Sequence, residues 1–230
     1  MKVKSPYLET VPQNLWEVLT QLMKMELLAP FRLVGGTALT LQLGHRMSVD
    51  IDLFTDSVYG SLDFTAIDKE LQKIFTYVDM QYGGNESFGK IYFIGNSKDE
   101  AVKVDLFYTD AFICPVLEMD SIRLASIEEI SAMKLEVIGN TGRKKDFWDV
   151  HALFEHLTME QMLSFHAERY PYSCTKETLL NKLVDFQFAD DDFEPICLKG
   201  NYWELIKEDI REMCQNELCI KIDNEKNRKQ

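Results

Sequence analysis

The stretch from Phe31 to Phe54, FRLVGGTALTLQLGHRMSVDIDLF, constrains this chain more than any other. Phe31 to Val34 is a short apolar run and reads as a buried strand. Gly35-Gly36 interrupts it. Thr37 to Leu43 then reads as a short helix with leucines on one face, ended by Gly44. A second apolar run, Val49 to Phe54, carries Asp50 and Asp52. Side chains alternate along a strand, so residues two apart share a face. Asp50 and Asp52 therefore project together, with Val49, Ile51 and Leu53 directed to the opposite side.

Two carboxylates on one face repel and raise each other's pKa unless a cation lies between them. A hard divalent ion resolves the conflict with oxygen ligands, and Mg²⁺ (or Mn²⁺) is the ion this donor set suits. The glycines add a second element. A strand, Gly-Gly and a helix N-terminus present backbone N–H groups to an anion, and glycine lets the backbone approach a phosphate closely. Thr37 adds a hydroxyl. A phosphate cradle beside a carboxylate pair suits phosphoryl or nucleotidyl transfer, in which positioning and charge neutralisation do most of the work. Alone, Gly-Gly before a helix is weak, and Asp-x-Asp is often the wet face of an edge strand. Their order within one strand–helix–strand unit carries the reading.

These residues resemble a known signature: Gly-Gly or Gly-Ser, a short helix, then hydrophobic-Asp-hydrophobic-Asp, as in nucleotidyltransferases of the polymerase-β superfamily. GGTAL followed by RMSVDIDLF is similar, more narrowly, to the AbiEii/AbiGii toxin family. Arg46, Ser48, Asp50 and Asp52 stand at that family's pattern positions. The resemblance implies an NTP substrate and a metal held by Asp50 and Asp52. It also implies nucleotide contacts from Gly35, Gly36, Thr37, Arg46 and Ser48.

The rest of the chain is read around that unit. At 230 residues with 46% hydrophobic content, the chain has room for one domain or two small ones and a real core. No apolar run reaches membrane-spanning length, and MKVKSPYLETV has no signal-peptide core, so a cytoplasmic protein is expected. Five cysteines without a Cys-x-x-Cys pair argue for reduced, structural thiols. A net charge of −13 is a poor surface for non-specific nucleic-acid binding, and no DNA-binding motif occurs.

Val11 to Leu28 reads as an amphipathic helix, and Leu62 to Phe75 as another. Phe88 to Ile94 reads as a strand, with Gly83-Gly84-Asn85 or Gly95-Asn96 as hairpin turns. In Ala101 to Tyr108, AVKVDLFY, Asp105 is a polar residue in an apolar strand. It is a third carboxylate, of the kind this fold carries on a neighbouring strand, able to complete a metal site and to orient or deprotonate an attacking hydroxyl.

Ser126, with Glu129 three residues on, signals a helix start. Ile127, Ile130, Met133 and Val137 mark its core face, and Lys134 lies next to that face. Gly139 to Gly142 reads as a loop and Asp146 opens the next helix. KDFWDVHAL resembles the family's later motif, which places Lys145, Asp146 and Asp149 on motif positions and Lys134 near the nucleotide phosphates. Where family members often have an arginine, this chain has Thr141, and Arg143 is the substitute. Lys-Asp here also reads as a buried pair that shapes the site. Met159 to Arg169, Thr175 to Phe186 and Tyr202 to Cys219 read as helices, Asp190-Asp191-Asp192 as a solvated turn, and the last residues as frayed. His151, His156 and His166 are taken as structural.

The expected fold is α/β (α+β), a small mixed sheet with flanking helices. Residues 1–125 form the metal-binding core, and 126–230 a helical region completing the nucleotide site. The expected activity is Mg²⁺-dependent transfer of an NMP from an NTP to an acceptor hydroxyl. The resemblance implies a toxin role in a toxin–antitoxin or phage-defence system, with tRNA as one acceptor and a cognate antitoxin as partner. An aminoglycoside-like small-molecule transferase and a catalytically silent nucleotide-binding protein are the alternatives.

Overall fold

The computed structural model describes residues 5–81 and 88–227. The chain divides into two compact units, Met1–Ser126 and Ile127–Gln230.

In the first unit, helix α1 (Gln13–Lys24) buries Leu15, Val18, Leu19, Leu22 and Met23, the spacing of one apolar stripe. A 3₁₀ turn, Glu26–Leu28, follows it rather than a continuation of the helix. Strand β1 (Arg32–Val34) leads directly into helix α2 (Gly35–Leu43), which leads to strand β2 (Asp50–Thr55). Helix α3 (Phe64–Ile74) starts at Asp63, whose side chain accepts from Ala66 N–H. Strands β3 (Tyr77–Gln81), β4 (Gly89–Gly95) and β5 (Val102–Tyr108) come next. Two short strands, β6 (Leu117–Met119) and β7 (Ile122–Leu124), end the unit. Gly83-Gly84-Asn85 lies outside the described residues. The Gly95-Asn96 turn does lead from β4 into its antiparallel partner β5.

Among the described residues the strands form one mixed sheet, ordered β3-β4-β5-β2-β1-β7-β6. β2 lies between β1, antiparallel to it, and β5, parallel to it. One face of β2 and β5 is sealed: Ile51, Leu53, Val104 and Leu106 are each exposed by 1% or less. The alternate residues, Asp50, Asp52, Lys103 and Asp105, are only half-buried. Val49 departs from the expected apolar row. It precedes the strand and is exposed. Helix α2 departs as well: Thr37 to Leu41 and Leu43 are all buried, so it has no wet face.

In the second unit, helix α4 (Ile127–Thr141) takes in all but Gly142 of the stretch expected as a loop. Helices α5 (Lys144–Leu153), α6 (Met159–Arg169), α7 (Lys176–Leu183), α8 (Gln187–Asp190) and α9 (Trp203–Asn227) complete it. The core face of α4 differs from the expected one. Val137 is exposed, whereas Glu129 and Lys134 are buried. Glu129 meets Arg169 at 2.6 Å, both side chains fully buried. Trp148 stacks on Trp203 with ring centroids 5.8 Å apart, and Phe147 and Phe186 close on the same indole.

His151, His156 and His166 lie in this unit. His151 meets Asp209 at 2.7 Å and His166 meets Glu136 at 2.8 Å, from partners far along the chain. The Asp190–Asp192 run is not a plain solvated turn. Asp190 accepts from Trp203 Nε1 and Lys207 Nζ, and Asp192 pairs with Arg143.

Four of the cysteines are free thiols; Cys114, Cys174 and Cys197 are half-buried and Cys214 is buried. Burial, with the charge of Glu217, pushes the Cys214 thiol up to about 12. At neutral pH it therefore stays protonated and unreactive. In native protein Cys214 is expected to react with DTNB at least ~10-fold more slowly than the other three, as read by peptide mass spectrometry after a timed exposure.

Candidate active site

The acid face of the first unit is fixed by register. β2 and β5 run parallel with Asp52 directly opposite Asp105 and Asp50 opposite Lys103. Neighbouring strands lie about 4.8 Å apart, so the two central carboxylates are side-by-side neighbours on one face. In the next row on that face Phe54 stands opposite Phe107, ring centroids 6.2 Å apart in an edge-on pair. Across β2 on the other side, Asp52 faces Val34, the last residue of β1. The Gly-Gly turn therefore begins beside Asp52.

That closeness explains both glycines. Gly35 has φ +69, and a Cβ there would fall 2.5 Å from Asp52 Oδ2. Only a residue without a Cβ adopts this backbone beside that carboxylate at little strain. A Cβ on Gly36 would run into Arg46 Nη2. Arg46 is buried, and its Nη1 donates to Met47 O at 2.9 Å. The guanidinium thus backs the glycine turn from inside.

Thr37 and Thr40, one turn apart on α2, bind the returning chain. Thr37 Oγ1 shares a 2.8 Å hydrogen bond with Ser48 Oγ and donates to the Asp50 carbonyl. Thr40 Oγ1 donates to the Arg46 carbonyl. Thr37 is 1% exposed. Its hydroxyl and that of Ser48 are thus engaged in setting where β2 starts, and with it where Asp50 and Asp52 stand.

Asp105 has a partner that the sequence reading missed. Lys103 Nζ donates to Asp105 Oδ2 at 2.6 Å. The signal was present, since Lys103 lies two residues before Asp105 and so on its face. The other oxygen, Asp105 Oδ1, is buried and has no hydrogen-bond partner among the described residues. A buried carboxylate oxygen without a donor is unfavourable, and a cation satisfies it. Among the described residues no three His, Cys, Asp or Glu side chains converge on one point as a metal cluster. The donor chemistry nevertheless fits a hard divalent ion: carboxylate oxygens only, one of them unsatisfied, and a glycine that leaves Asp52 Oδ2 clear. A cleft of about 310 Å³ elsewhere in the unit, lined by Gln21, Lys24, Glu26 and Glu70 among others, includes none of these acids.

The remaining candidates stand in the second unit. Lys134 Nζ lies 2.7 Å from Asp146 Oδ1 and 2.6 Å from Asp149 Oδ2, and all three side chains are buried. Asp146 Oδ2 also accepts from Arg143 N–H at 3.0 Å, at the start of α5. Arg143 is more than half exposed and pairs with Asp192. Lys145 is half-buried. The buried lysine–aspartate pairing read from KKD therefore uses Lys134, one helix earlier.

A mixed sheet with a Gly-Gly helix start beside paired acids has the nucleotidyltransferase fold, and solved structures agree. A putative nucleotidyltransferase from Helicobacter pylori aligns with TM-score 0.55 and 22% identity, covering 88% of this chain and 93% of that one. MenT4, a nucleotidyltransferase toxin from Mycobacterium tuberculosis H37Rv, aligns with TM-score 0.58 and 13% identity, covering 87% and 83%. At such identities the likeness establishes the fold. Residues 17–213 match the family described as "Nucleotidyl transferase AbiEii toxin, Type IV TA system", and the chain belongs to that family. An uncharacterized protein of Aquifex aeolicus (strain VF5) is 26% identical over 208 residues, 85% of this chain and 84% of that protein.

The tightness of the glycine turn makes a direct prediction. Gly60 also has positive φ (+79) but nothing within 4 Å of a Cβ, so it isolates backbone strain from contact. Gly35→Ala is expected to destabilise the protein by about 1–3 kcal/mol more than Gly60→Ala in urea titration. Equal losses would mean that Asp52 does not hold the turn closed.

Proposed function

We propose that the protein is a divalent-metal-dependent nucleotidyltransferase toxin that moves an NMP from an NTP to an acceptor hydroxyl. The observation that carries this reading is the register of Asp52 with Asp105, with Gly35 packed against Asp52. Asp50, Asp52 and Asp105 hold Mg²⁺ or Mn²⁺. Bound there, the ion neutralises charge on the transferring phosphate and on the attacking oxygen.

The chain's own groups do the rest. Backbone N–H groups at the start of α2, at Gly35, Gly36 and Thr37, receive phosphate oxygens, helped by the helix dipole. Arg46 and Ser48 hold that turn in shape. The acceptor oxygen bonds to the α-phosphorus while the bond to the bridging oxygen breaks, and pyrophosphate leaves with the electron pair. Asp105 orients the attacking hydroxyl, whose proton is lost to solvent. In the second unit Lys134 is already shared between Asp146 and Asp149. We read it as fixing the first turn of α5, in which Lys145 stands, with Arg143 as the residue just before the helix; these are the two cations of this unit that we assign to nucleotide contact.

The acceptor to test first is tRNA, with a cognate antitoxin as the expected partner in the cytoplasm. Each α-³²P-labelled NTP is incubated in turn with Mg²⁺ and total bacterial tRNA, comparing wild type with Asp52→Ala and Asp105→Asn. Label is expected to move to tRNA with the wild type from one preferred NTP, and to fall to background with both variants and with EDTA. Transfer by Asp52→Ala at the wild-type rate would contradict the assignment. Label moving instead to an aminoglycoside or to a protein would keep the chemistry and replace the acceptor.

A further inference from the structure

The first unit carries a groove on the side of the sheet away from the acids. Helix α1 lays its apolar stripe on the sealed face, against β2, β4 and β5. Its other stripe, Asn14, Glu17, Gln21 and Lys24, recurs at three- and four-residue spacing and lines two clefts. One, of about 310 Å³, lies between Gln21 and Lys24 of α1, Glu26 and Leu27 of the 3₁₀ turn, and Glu70 and Ile74 of α3. The other, of about 150 Å³, lies between Asn14, Glu17 and Gln21, the end of α3 at Ile74, and Glu100 before β5. They share Gln21 and Ile74, so they form one groove. From Asn14 to Lys24 it is about 15 Å long at the rise of an α-helix.

The groove has an apolar middle and acidic ends. Leu27 and Ile74 are each 40% exposed, with Val18 and Met25 buried beneath them. Glu17 and Glu100 stand at one end, Glu26 and Glu70 at the other. Lys24 is the one cation among the described lining residues, so four acids meet one base, against 38 to 25 in the whole chain. The groove is thus more acidic than the general charge of the chain accounts for. Glu70 pairs with Lys73 at the surface, whereas Glu17, Glu26 and Glu100 make no ion pair among the described residues. Carboxylates gathered around wet apolar side chains repel one another and leave apolar surface in water, and folding alone rewards neither.

We infer that this groove docks a partner protein, which lays a short basic, amphipathic helix along α1. Aliphatic side chains of that helix cover Leu27 and Ile74, and its lysines or arginines reach the four glutamates. The length and the two-ended charge favour a helix: about ten residues span the groove, and a face with Arg at i, Leu at i+4 and Arg at i+7 matches acids on both sides of an apolar middle. The groove includes none of Gly35, Gly36, Asp50, Asp52 and Asp105. A partner held there binds the protein without plugging the candidate active site. The inference goes beyond the metal reading and does not rest on it.

The test is an anisotropy titration of a fluorescein-labelled alanine-based helix, carrying Arg, Leu and Arg at i, i+4 and i+7, with the full chain in EDTA and without nucleotide. Binding is expected with Kd below ~100 μM at low salt, weakening as salt is added. The double variant Glu26→Gln/Glu70→Gln is expected to bind at least ~5-fold more weakly, and Ile74→Asp at least ~10-fold. Asp191→Asn, at an exposed acid of the second unit, is expected to bind as wild type does. Both Glu70 and Ile74 are exposed enough for the fold to tolerate these changes, circular dichroism verifies this, and Leu27→Ser repeats the apolar test at a second position. No binding to wild type, or equal binding to the glutamine variant, would overturn the inference. So would unchanged binding of a peptide with Ser in place of its Leu, since charge alone would then explain the contact. A dimer of the chain in sedimentation velocity that is lost in Ile74→Asp would also overturn it, by giving the groove to a second copy. Because metal and nucleotide are absent, a failure of nucleotidyl transfer leaves each of these results standing.

Discussion

The structure depends on placing two carboxylates side by side, with one oxygen, Asp105 Oδ1, lacking a hydrogen-bond partner among the described residues. Asp52 and Asp105 are cross-strand neighbours in a parallel pair, an arrangement that repels in water and more so where half-buried. The fold invests much of its first unit in holding it. Parallel pairing of β2 with β5 requires a long crossover, which α3, β3 and β4 provide. The opposite face is sealed by Ile51, Leu53, Val104 and Leu106, and a one-residue slip would exchange those side chains with the acids. Thr37 and Thr40 tie the segment before β2 to α2, so the strand begins at a fixed place. Strain of this kind, repeated at one spot, is expected at a functional site rather than in a scaffold.

The second unit manages charge differently. It buries Lys134 between Asp146 and Asp149, and Glu129 against Arg169. Such pairs add little net stability over apolar packing, but breaking one leaves an isolated buried charge at a cost of about 3–5 kcal/mol. They therefore specify one arrangement of α4, α5 and α6 rather than strengthening it. The contrast between the units is informative. In the second, buried Lys134 and Arg169 are matched by acids, whereas on the acid face of the first Asp105 Oδ1 has no hydrogen-bond partner among the described residues.

The acid face was legible because a strand's period is two, and Asp50, Asp52 and Asp105 in apolar surroundings leave one register in which the core is dry. Val49 was misplaced because strand ends are not marked by alternation. The core face of α4 was misread because a charged residue normally points outward, and the sequence does not show that Glu129 and Lys134 have partners at Arg169, Asp146 and Asp149. The Asp190–Asp192 run looked solvated for the same reason. Strands β3, β6 and β7 went unread: β3 and β6 are the two edges of the sheet, and β6 and β7 are each three residues long, too short to show a period. Thr37 was read as a hydroxyl for phosphate, and burial has instead turned it towards Ser48 and Asp50, which no sequence period records. The family resemblance, carried by GGTAL and RMSVDIDLF, covered what periodicity could not, and it stands across residues 17–213.

The central claim is that the three acids of one face hold the divalent ion of a nucleotidyl transfer site. The most direct measurement is a crystal structure with Mn²⁺ and a non-hydrolysable NTP analogue, using anomalous scattering to locate the metal. The account predicts an anomalous peak ligated by Asp50 and Asp52, within reach of Asp105, and phosphate oxygens on the backbone of Gly35 and Gly36. An ordered nucleotide bound elsewhere, with no peak at these acids, would contradict it.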